Sequence, residues 1–231
     1  MAAPEPAAPA RLVPHPVPAG GYRLVVLDFD GTLADTFPWF CGVLDAVALR
    51  YRFRRVAGHE VDELRTLPAR AIMARLEVPR WKLPLIARHM HGLAARDAAA
   101  LHLFPGIAEA LAHLSAAGVA TAVLSSNTEA NVRRVLGPAA GRIDRYACGA
   151  SVFGKARRLA RLLRRARIEP GGVLCIGDEL RDLDAARAVG CAFWAVAWGY
   201  TDPAALAAAG PDRMLADPAQ IADAVLSVRG G

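Results

Sequence analysis

Two aspartates, Asp28 and Asp30, stand two residues apart directly after the short apolar run at residues 24–27. Gly31 follows them, and a glycine there lets the backbone turn sharply. A second acidic group follows the apolar run at 173–176 and consists of Asp178, Glu179 and Asp182. Carboxylates crowded together are unfavourable unless a cation lies between them. Small all-oxygen ligand sets with room for water and phosphate suit Mg²⁺, so the sequence predicts a magnesium site.

With such a cation present, Asp28 can attack phosphorus as a nucleophile and form an aspartyl-phosphate. Asp30 can act as the general acid toward the leaving oxygen, and then as the base toward the water that hydrolyses the intermediate. An isolated Asp-x-Asp pair is more often a turn with capping side chains. The assignment therefore depends on matching groups at the other strand ends.

Those matching groups are a serine and a lysine. Ser125 ends an apolar run and is followed by Ser126 and Asn127, so its hydroxyl and the adjacent N–H groups could hold a phosphoryl oxygen at a helix N-terminus. The alternatives are an N-cap for Ser125 and a helix-capping role for Asn127. Lys155 is one of only two lysines among 28 basic residues. Its compact charge would neutralise Asp28 and the transferring phosphoryl group, although a surface lysine remains open.

The elements that would position these residues follow from the apolar pattern. Strands are predicted at residues 24–27, 119–124, 173–176 and 193–198, with a short strand near Tyr146. Helices are predicted at residues 107–117, 131–136, 154–166, 183–189 and 221–228. Apolar strands that alternate with helices indicate an α/β fold with a doubly wound parallel sheet. In such sheets ligands bind at the carboxyl ends of the strands, where the polar residues lie.

The domain boundaries follow from composition. Residues 1–20 carry six prolines and are predicted to be a disordered Pro/Ala-rich tail. Residues 37–104 contain helix-like patterns split by prolines and no convincing strand, so we interpret them as a helical cap inserted into the fold. Residues 21–36 and 105–231 would form the core.

Composition excludes several classes of protein. Hydrophobic residues make up 54% of the 231, enough for a packed core. The four cysteines lie far apart, which disfavours a zinc site and indicates a reducing cytoplasm. There is no apolar stretch of membrane-spanning length and no secretory signal pattern in the first twenty residues. The net charge of +6 comes with a strong Ala/Arg bias, so a nucleic-acid partner is not favoured.

Four motifs in order resemble those of the haloacid dehalogenase superfamily of phosphatases. They are Asp28–Thr36 (DFDGTLADT), Val123–Asn127 (VLSSN), Gly154–Lys155, and Gly177–Asp182 (GDELRD). The resemblance covers essentially residues 22 to 231 and extends to the helical cap and the residues from Gly199 onward. The cap and the residues from Gly199 onward are similar to those of the subgroup that contains phosphoglycolate phosphatases.

The resemblance implies a Rossmann-like core with a cap, and a Mg²⁺-dependent phosphatase of a small phosphorylated metabolite. It implies Asp28 as nucleophile, Asp30 as acid/base, and Ser125 and Lys155 as phosphoryl binders. The metal ligands would be Asp28, Asp178 and the backbone carbonyl of Asp30, with Glu179 and Asp182 in support. Ser126 and Asn127 are assigned, with Ser125 and Lys155, to the substrate-binding residues.

Several alternatives stay open. A phosphomutase of the β-phosphoglucomutase type shares all four motifs. A nucleotide or nucleic-acid end phosphatase is supported only by the positive charge. A non-catalytic module would not need the intact set of acidic, serine and lysine residues. The sequence leaves both a monomer and a homodimer open.

Overall fold

A parallel six-stranded sheet forms the centre of the computed structural model, which describes residues 15–149 and 154–228. In chain order the strands are β1 (Leu24–Leu27), β2 (Ala34–Asp35), β3 (His102–Leu103), β4 (Ala120–Leu124), β5 (Arg145–Ala147), β6 (Val173–Gly177), β7 (Ala192–Val196) and β8 (Arg213–Leu215). The six-stranded sheet has the order β5-β4-β1-β6-β7-β8, and all its neighbouring pairs are parallel. The predicted doubly wound α/β fold is confirmed.

The helices are α1 (Phe37–Tyr51), α2 (Val61–Arg65), α3 (Ala69–Arg75), α4 (Leu83–Arg96), α5 (Ile107–Ala116), α6 (Glu129–Leu136), α7 (Lys155–Ala166), α8 (Leu180–Val189), α9 (Pro203–Ala208) and α10 (Gln220–Ser227). Of these, α5, α6 and α10 pack on one face of the sheet, and α7, α8 and α9 pack on the other. Because side chains alternate across a strand, Val25 and Leu27 of β1 face one apolar cluster and Leu24 and Val26 face the other. All four are buried, which explains why β1 is apolar without alternation.

Residues 37–100, which we call the helical segment, lie between β1 and β4 and contain α1 to α4. The expectation that residues 37–104 hold no strand is wrong at one place. His102–Leu103 pairs antiparallel with Ala34–Asp35, so the two chain ends of the helical segment are joined side by side. A strand of two residues has too few positions to show a periodic pattern, which is why the sequence did not indicate it.

Several element boundaries differ from the predicted ones. Strand β7 ends at Val196 rather than at Trp198, and α8 begins at Leu180 rather than at Leu183. Helix α9 and strand β8 had not been predicted, because each is short and sits among alanine and proline. Residues 1–14 of the predicted tail lie outside the described residues. Beyond them, His15 donates its backbone N–H to Asp212 Oδ1 at 2.8 Å.

Membrane insertion through a helix finds no support in the described ranges. None of the helices within residues 15–149 and 154–228 combines the length and the apolar character that a membrane span requires.

Candidate functional site

The polar residues singled out in the sequence converge at one edge of the sheet. Leu27 of β1 is in register with Val123 of β4 on one side and with Ile176 of β6 on the other. The residues that follow these strands therefore emerge together, and Asp28 continues the sheet by donating its N–H to Ile176 O at 2.9 Å. The chain segments that start at Asp28, Ser125 and Asp178 meet here.

Lys155 lies at the centre of this edge. Its Nζ is 2.6 Å from Asp28 Oδ2 and also contacts Asp182 Oδ1, and all three side chains are buried. Lys155 is the first residue of α7, so the start of that helix places the ammonium group among the carboxylates. Gly154 is described, whereas residues 151–153 of the predicted Ser-Val-Phe-Gly-Lys loop lie outside the described residues. The surface alternative for Lys155 is wrong.

Burial and charge act against each other on these groups. Burial raises the pKa of Asp28 to about 7, and the charge of Lys155 opposes that rise. For Lys155, burial lowers the pKa, but the negative charges of Asp182 and Asp28 raise it by more. Its pKa therefore lies above the ordinary value of a lysine. A buried lysine that stays charged between two carboxylates is a permanent positive charge next to Asp28.

Asp178 is fully buried and is held at both carboxylate oxygens. Its Oδ1 accepts a hydrogen bond from Thr32 Oγ1 at 2.7 Å, and its Oδ2 accepts one from the backbone N–H of Tyr200 at 2.8 Å. Burial raises the pKa of Asp178 well above its usual value, and the neighbouring Glu179 and Asp28 add to this rise. The orientation of this carboxylate is therefore set by the loops after β1 and β7.

Glu179 and Asp182 have structural partners. Glu179 Oε1 accepts a hydrogen bond from Arg181 Nη2 at 2.5 Å. Asp182 Oδ2 accepts the backbone N–H of Glu179 at 3.1 Å, which caps α8, while its other oxygen contacts Lys155. Because both oxygens of Asp182 are occupied in this way, Asp182 supports the lysine and the helix start.

Asp30 lies beside Thr36 and Asn127. Burial raises the pKa of Asp30, and side-chain hydrogen bonds from Thr36 and Asn127 partly offset the rise. A carboxyl group with a raised pKa carries its proton over more of the pH range than an ordinary aspartate. Such a group suits proton donation followed by proton acceptance.

Ser125 and Asn127 shape the turn between β4 and α6. Ser125 Oγ accepts the N–H of Asn127 at 3.0 Å, and Asn127 Oδ1 accepts the N–H of Thr128 at 2.9 Å. The side chain that caps α6 is Thr128, whose hydroxyl accepts the N–H of Asn131 at 3.2 Å. Ser126 is half-buried and makes no hydrogen bond within the described residues.

The acidic residues fit a divalent cation. One carboxylate oxygen each of Asp28, Asp178 and Asp182 lies within 4.8 Å of the others. Asp28 Oδ2 is buried and, despite its ion pair with Lys155, accepts no hydrogen bond within the described residues. Asp28 Oδ2, which is crowded by these carboxylates and accepts no hydrogen bond, is a suitable ligand atom for Mg²⁺. The predicted set of Asp28, Asp178 and the Asp30 carbonyl stays a prediction.

Three residues at this edge had no role assigned from sequence: Thr32, Arg181 and Tyr200. Thr32 and Arg181 stand inside the quoted motifs, so their place beside Asp178 and Glu179 could have been suspected. Arg181 Nε is buried and has no hydrogen-bond partner within the described residues. Tyr200 follows β7, and only the fold brings it to Asp178.

Gly31 offers a test of how tightly this site is packed. Its φ of 81° favours glycine, and a Cβ there would collide with the Asp178 carboxylate and the Tyr200 ring. Gly31→Ala should lower the free energy of unfolding by about 1–2 kcal/mol for the left-handed backbone and by about 1–3 kcal/mol more for the collision. The matched control is Gly118→Ala, with φ 67° and nothing within 4 Å of the added atom. Urea unfolding in chelator measures the free energy of unfolding of both variants. Equal losses of stability in Gly31→Ala and Gly118→Ala would contradict the predicted collision.

Comparison with known protein families places these motifs in context. Residues 25–196 match the family model described as haloacid dehalogenase-like hydrolase. A phosphoglycolate phosphatase of Synechococcus elongatus is 32% identical over 205 residues, which cover 88% of this chain and 97% of that protein.

Two further similarities differ in what they support. The tyrosine-protein kinase PtkA of Mycobacterium tuberculosis is 30% identical over 194 residues, which cover 79% of this chain and 65% of that protein. A solved structure titled "predicted phosphatase" from Clostridium acetobutylicum superposes with a TM-score of 0.75, covers 89% of this chain and 99% of that chain, and is 17% identical. At that identity the structure supports the fold alone.

Proposed function

Since this chain belongs to the haloacid dehalogenase-like hydrolase family, we propose that it is a Mg²⁺-dependent phosphatase of small phosphate monoesters, with phosphoglycolate as the model substrate. The observation that carries the proposal is the buried carboxylate of Asp28, which lies 2.6 Å from Lys155 Nζ and beside Asp178. The proposed nucleophile, a fixed positive charge and the proposed metal ligands therefore lie together at the carboxyl ends of the strands. The name of the cyanobacterial relative supports the choice of substrate.

The first step assigns the bond changes to two residues. The Asp28 carboxylate attacks phosphorus, the bond between phosphorus and the ester oxygen breaks, and Asp30 gives its proton to that oxygen as the alcohol leaves. Lys155, charged between Asp28 and Asp182, stabilises the negative charge on the phosphoryl group. Ser125 and the backbone N–H groups after it would bind a phosphoryl oxygen.

The second step reverses the proton flow. Asp30, now ionised, takes a proton from water as the water attacks phosphorus, and the Asp28–phosphate bond breaks to release inorganic phosphate. Asp28, Asp178 and the Asp30 carbonyl would hold Mg²⁺, which supplies positive charge to the phosphoryl oxygens when bound. The helical segment would act as a cap that limits the substrate to small esters and excludes water during the first step.

The test is phosphate release by the whole protein from a panel of substrates, with Mg²⁺ and with chelator. We expect turnover of phosphoglycolate with Mg²⁺ and none in chelator, because the buried carboxylates repel an anionic substrate without a cation. A 5′-phosphorylated oligonucleotide should be a poor substrate. Full turnover in chelator would contradict the proposal.

Other arms of the panel separate the alternatives. Conversion of a sugar 1-phosphate to its isomer without phosphate release would favour a mutase. Transfer from ATP to a tyrosine-containing peptide would favour the activity named for the mycobacterial relative. Preference for the oligonucleotide would favour an end phosphatase.

A further inference from the structure

The loop after β7, residues 198–202, holds the Asp178 carboxylate from one side. The N–H of Tyr200 donates to Asp178 Oδ2 at 2.8 Å. Gly199 lies so close to Asp178 that any side chain at this position would collide with it. The position of this loop backbone therefore decides where Oδ2 of the proposed metal ligand lies.

This loop is bound in turn by one residue of the helical segment. Arg65, the last residue of α2, donates from Nε to Tyr200 O at 2.9 Å and from Nη2 to Gly199 O at 3.0 Å. The backbone carbonyl of Arg65 also accepts the N–H of Asp202 at 2.9 Å. A planar guanidinium with two donors on consecutive carbonyls fixes both the position and the orientation of that peptide.

The side chain of Tyr200 contacts the start of the helical segment. Its hydroxyl lies 2.9 Å from Thr36 Oγ1, and its ring packs edge-on against Phe37 with centroids 4.9 Å apart. The guanidinium of Arg65 in turn lies 5.1 Å from the centroid of the Phe37 ring. Arg65, Phe37 and Tyr200 thus form one contact between the helical segment and the loop.

Two of the three guanidinium nitrogens of Arg65 make hydrogen bonds within the protein. Nε and Nη2 bind the two carbonyls, and Nη1 lies 3.9 Å from Asp62 Oδ1. The 3.9 Å separation is too long for a hydrogen bond, but the Nε–Nη2 side of the guanidinium, which offers two parallel donors, is already taken by the two carbonyls and is not free for bidentate binding of an anion. This favours a role in holding the loop over a role in binding substrate.

We propose that Arg65 is a positioning residue that holds the 198–202 loop against Asp178, so that docking of the helical segment strengthens metal binding. The inference rests on the proposed function, because it takes Asp178 as a ligand of Mg²⁺. Groups that orient a metal ligand typically change metal affinity by about 10- to 100-fold when removed. Arg65 would link the proposed cap to the metal site without touching either metal or substrate.

The experiment is calorimetric titration of Mg²⁺ into the full chain without substrate, so the readout does not depend on turnover. We expect Arg65→Met to weaken Mg²⁺ binding by about tenfold, because the loop loses both carbonyl contacts. Arg65→Lys should retain part of the affinity, since an ammonium can reach one carbonyl but lacks the fork. The control is Arg88→Met, which removes an exposed arginine of the same segment whose side chain makes no hydrogen bond or ion pair within the described residues.

Each result decides a different point. Unchanged Mg²⁺ affinity in Arg65→Met, with a raised KM, would overturn the inference and make Arg65 a substrate contact. Equal loss in Arg65→Met and Arg88→Met would also overturn it. If Arg65→Met does not fold, the Arg65→Lys titration decides. Full wild-type Mg²⁺ affinity in Arg65→Lys would then overturn the inference. A wild-type protein that binds no Mg²⁺ would overturn the proposed function and this inference with it.

Discussion

Asp28→Asn is expected to reduce turnover of phosphoglycolate by more than about 10⁴-fold, because an amide cannot replace the attacking carboxylate. The substitution keeps the size and shape of a buried side chain, so the fold should survive. Phosphate release measured with excess Mg²⁺ checks the loss, and circular dichroism checks the fold. The matched control is Asp35→Asn, an exposed aspartate of the same motif to which no role is assigned, and it should retain near-normal turnover. An Asp28→Asn protein that keeps the wild-type rate would exclude the aspartyl-phosphate mechanism.

Stability gives a second readout for the same variant. Burial raises the pKa of Asp28 to about 7 in the metal-free protein, although Lys155 opposes this. An acid with a raised pKa in the folded state costs stability as the pH rises from its unfolded pKa toward the folded one. In chelator above neutral pH, Asp28→Asn should therefore unfold at the same denaturant concentration as wild type or at a higher one. Any gain in stability of the variant over wild type should shrink in acid, where Asp28 of the wild type is protonated.

Lys155→Met is expected to lower the free energy of unfolding by about 3–5 kcal/mol in chelator at neutral pH. The change removes a cation that contacts both Asp28 and Asp182 and leaves two buried carboxylates facing each other. Methionine has a similar length, so lost packing contributes little. Urea unfolding measures the loss. It should be smaller in mild acid, where Asp28, whose pKa burial raises to about 7, takes up a proton.

The only other lysine supplies the control. Lys82 is partly buried and donates to the backbone carbonyl of Tyr51 at 2.7 Å, with no carboxylate partner within the described residues. Lys82→Met should cost about 1 kcal/mol, the typical value of one hydrogen bond. Similar losses for both lysines would show that Lys155 does not compensate the charge of the buried carboxylates. Adding Asp182→Asn to Lys155→Met should recover part of the lost stability, because one unpaired charge is removed.

The family, the fold class and the hydrolase class were predictable from sequence, and the comparisons confirm them. The reason is local: apolar runs that end in Asp28, Ser125 and Asp178 indicate buried parallel strands whose carboxyl ends carry the polar residues. The roles of these residues in catalysis stay predictions. So do the boundaries of the cap and the set of metal ligands.

Short elements and long-range contacts were not predictable. The pairing of Ala34–Asp35 with His102–Leu103 joins residues far apart in the chain through two positions only. Lys155 contacts Asp182, 27 positions away, and Asp28, which lies much farther away along the chain. The sequence predicts that Lys155 neutralises Asp28, whereas its contact with Asp182 is set by the fold.

The sequence by itself determined which groups are available for chemistry, because residue type and position after an apolar run depend only on neighbours along the chain. The tertiary structure decided which partner each of those groups contacts. Asp182 holds Lys155 and caps α8, whereas Asp178 is held by Thr32 and by Tyr200 N–H. It also decided that Arg65 binds the loop carrying Tyr200. These assignments depend on distances between segments that only the packing of the helical segment and the sheet sets.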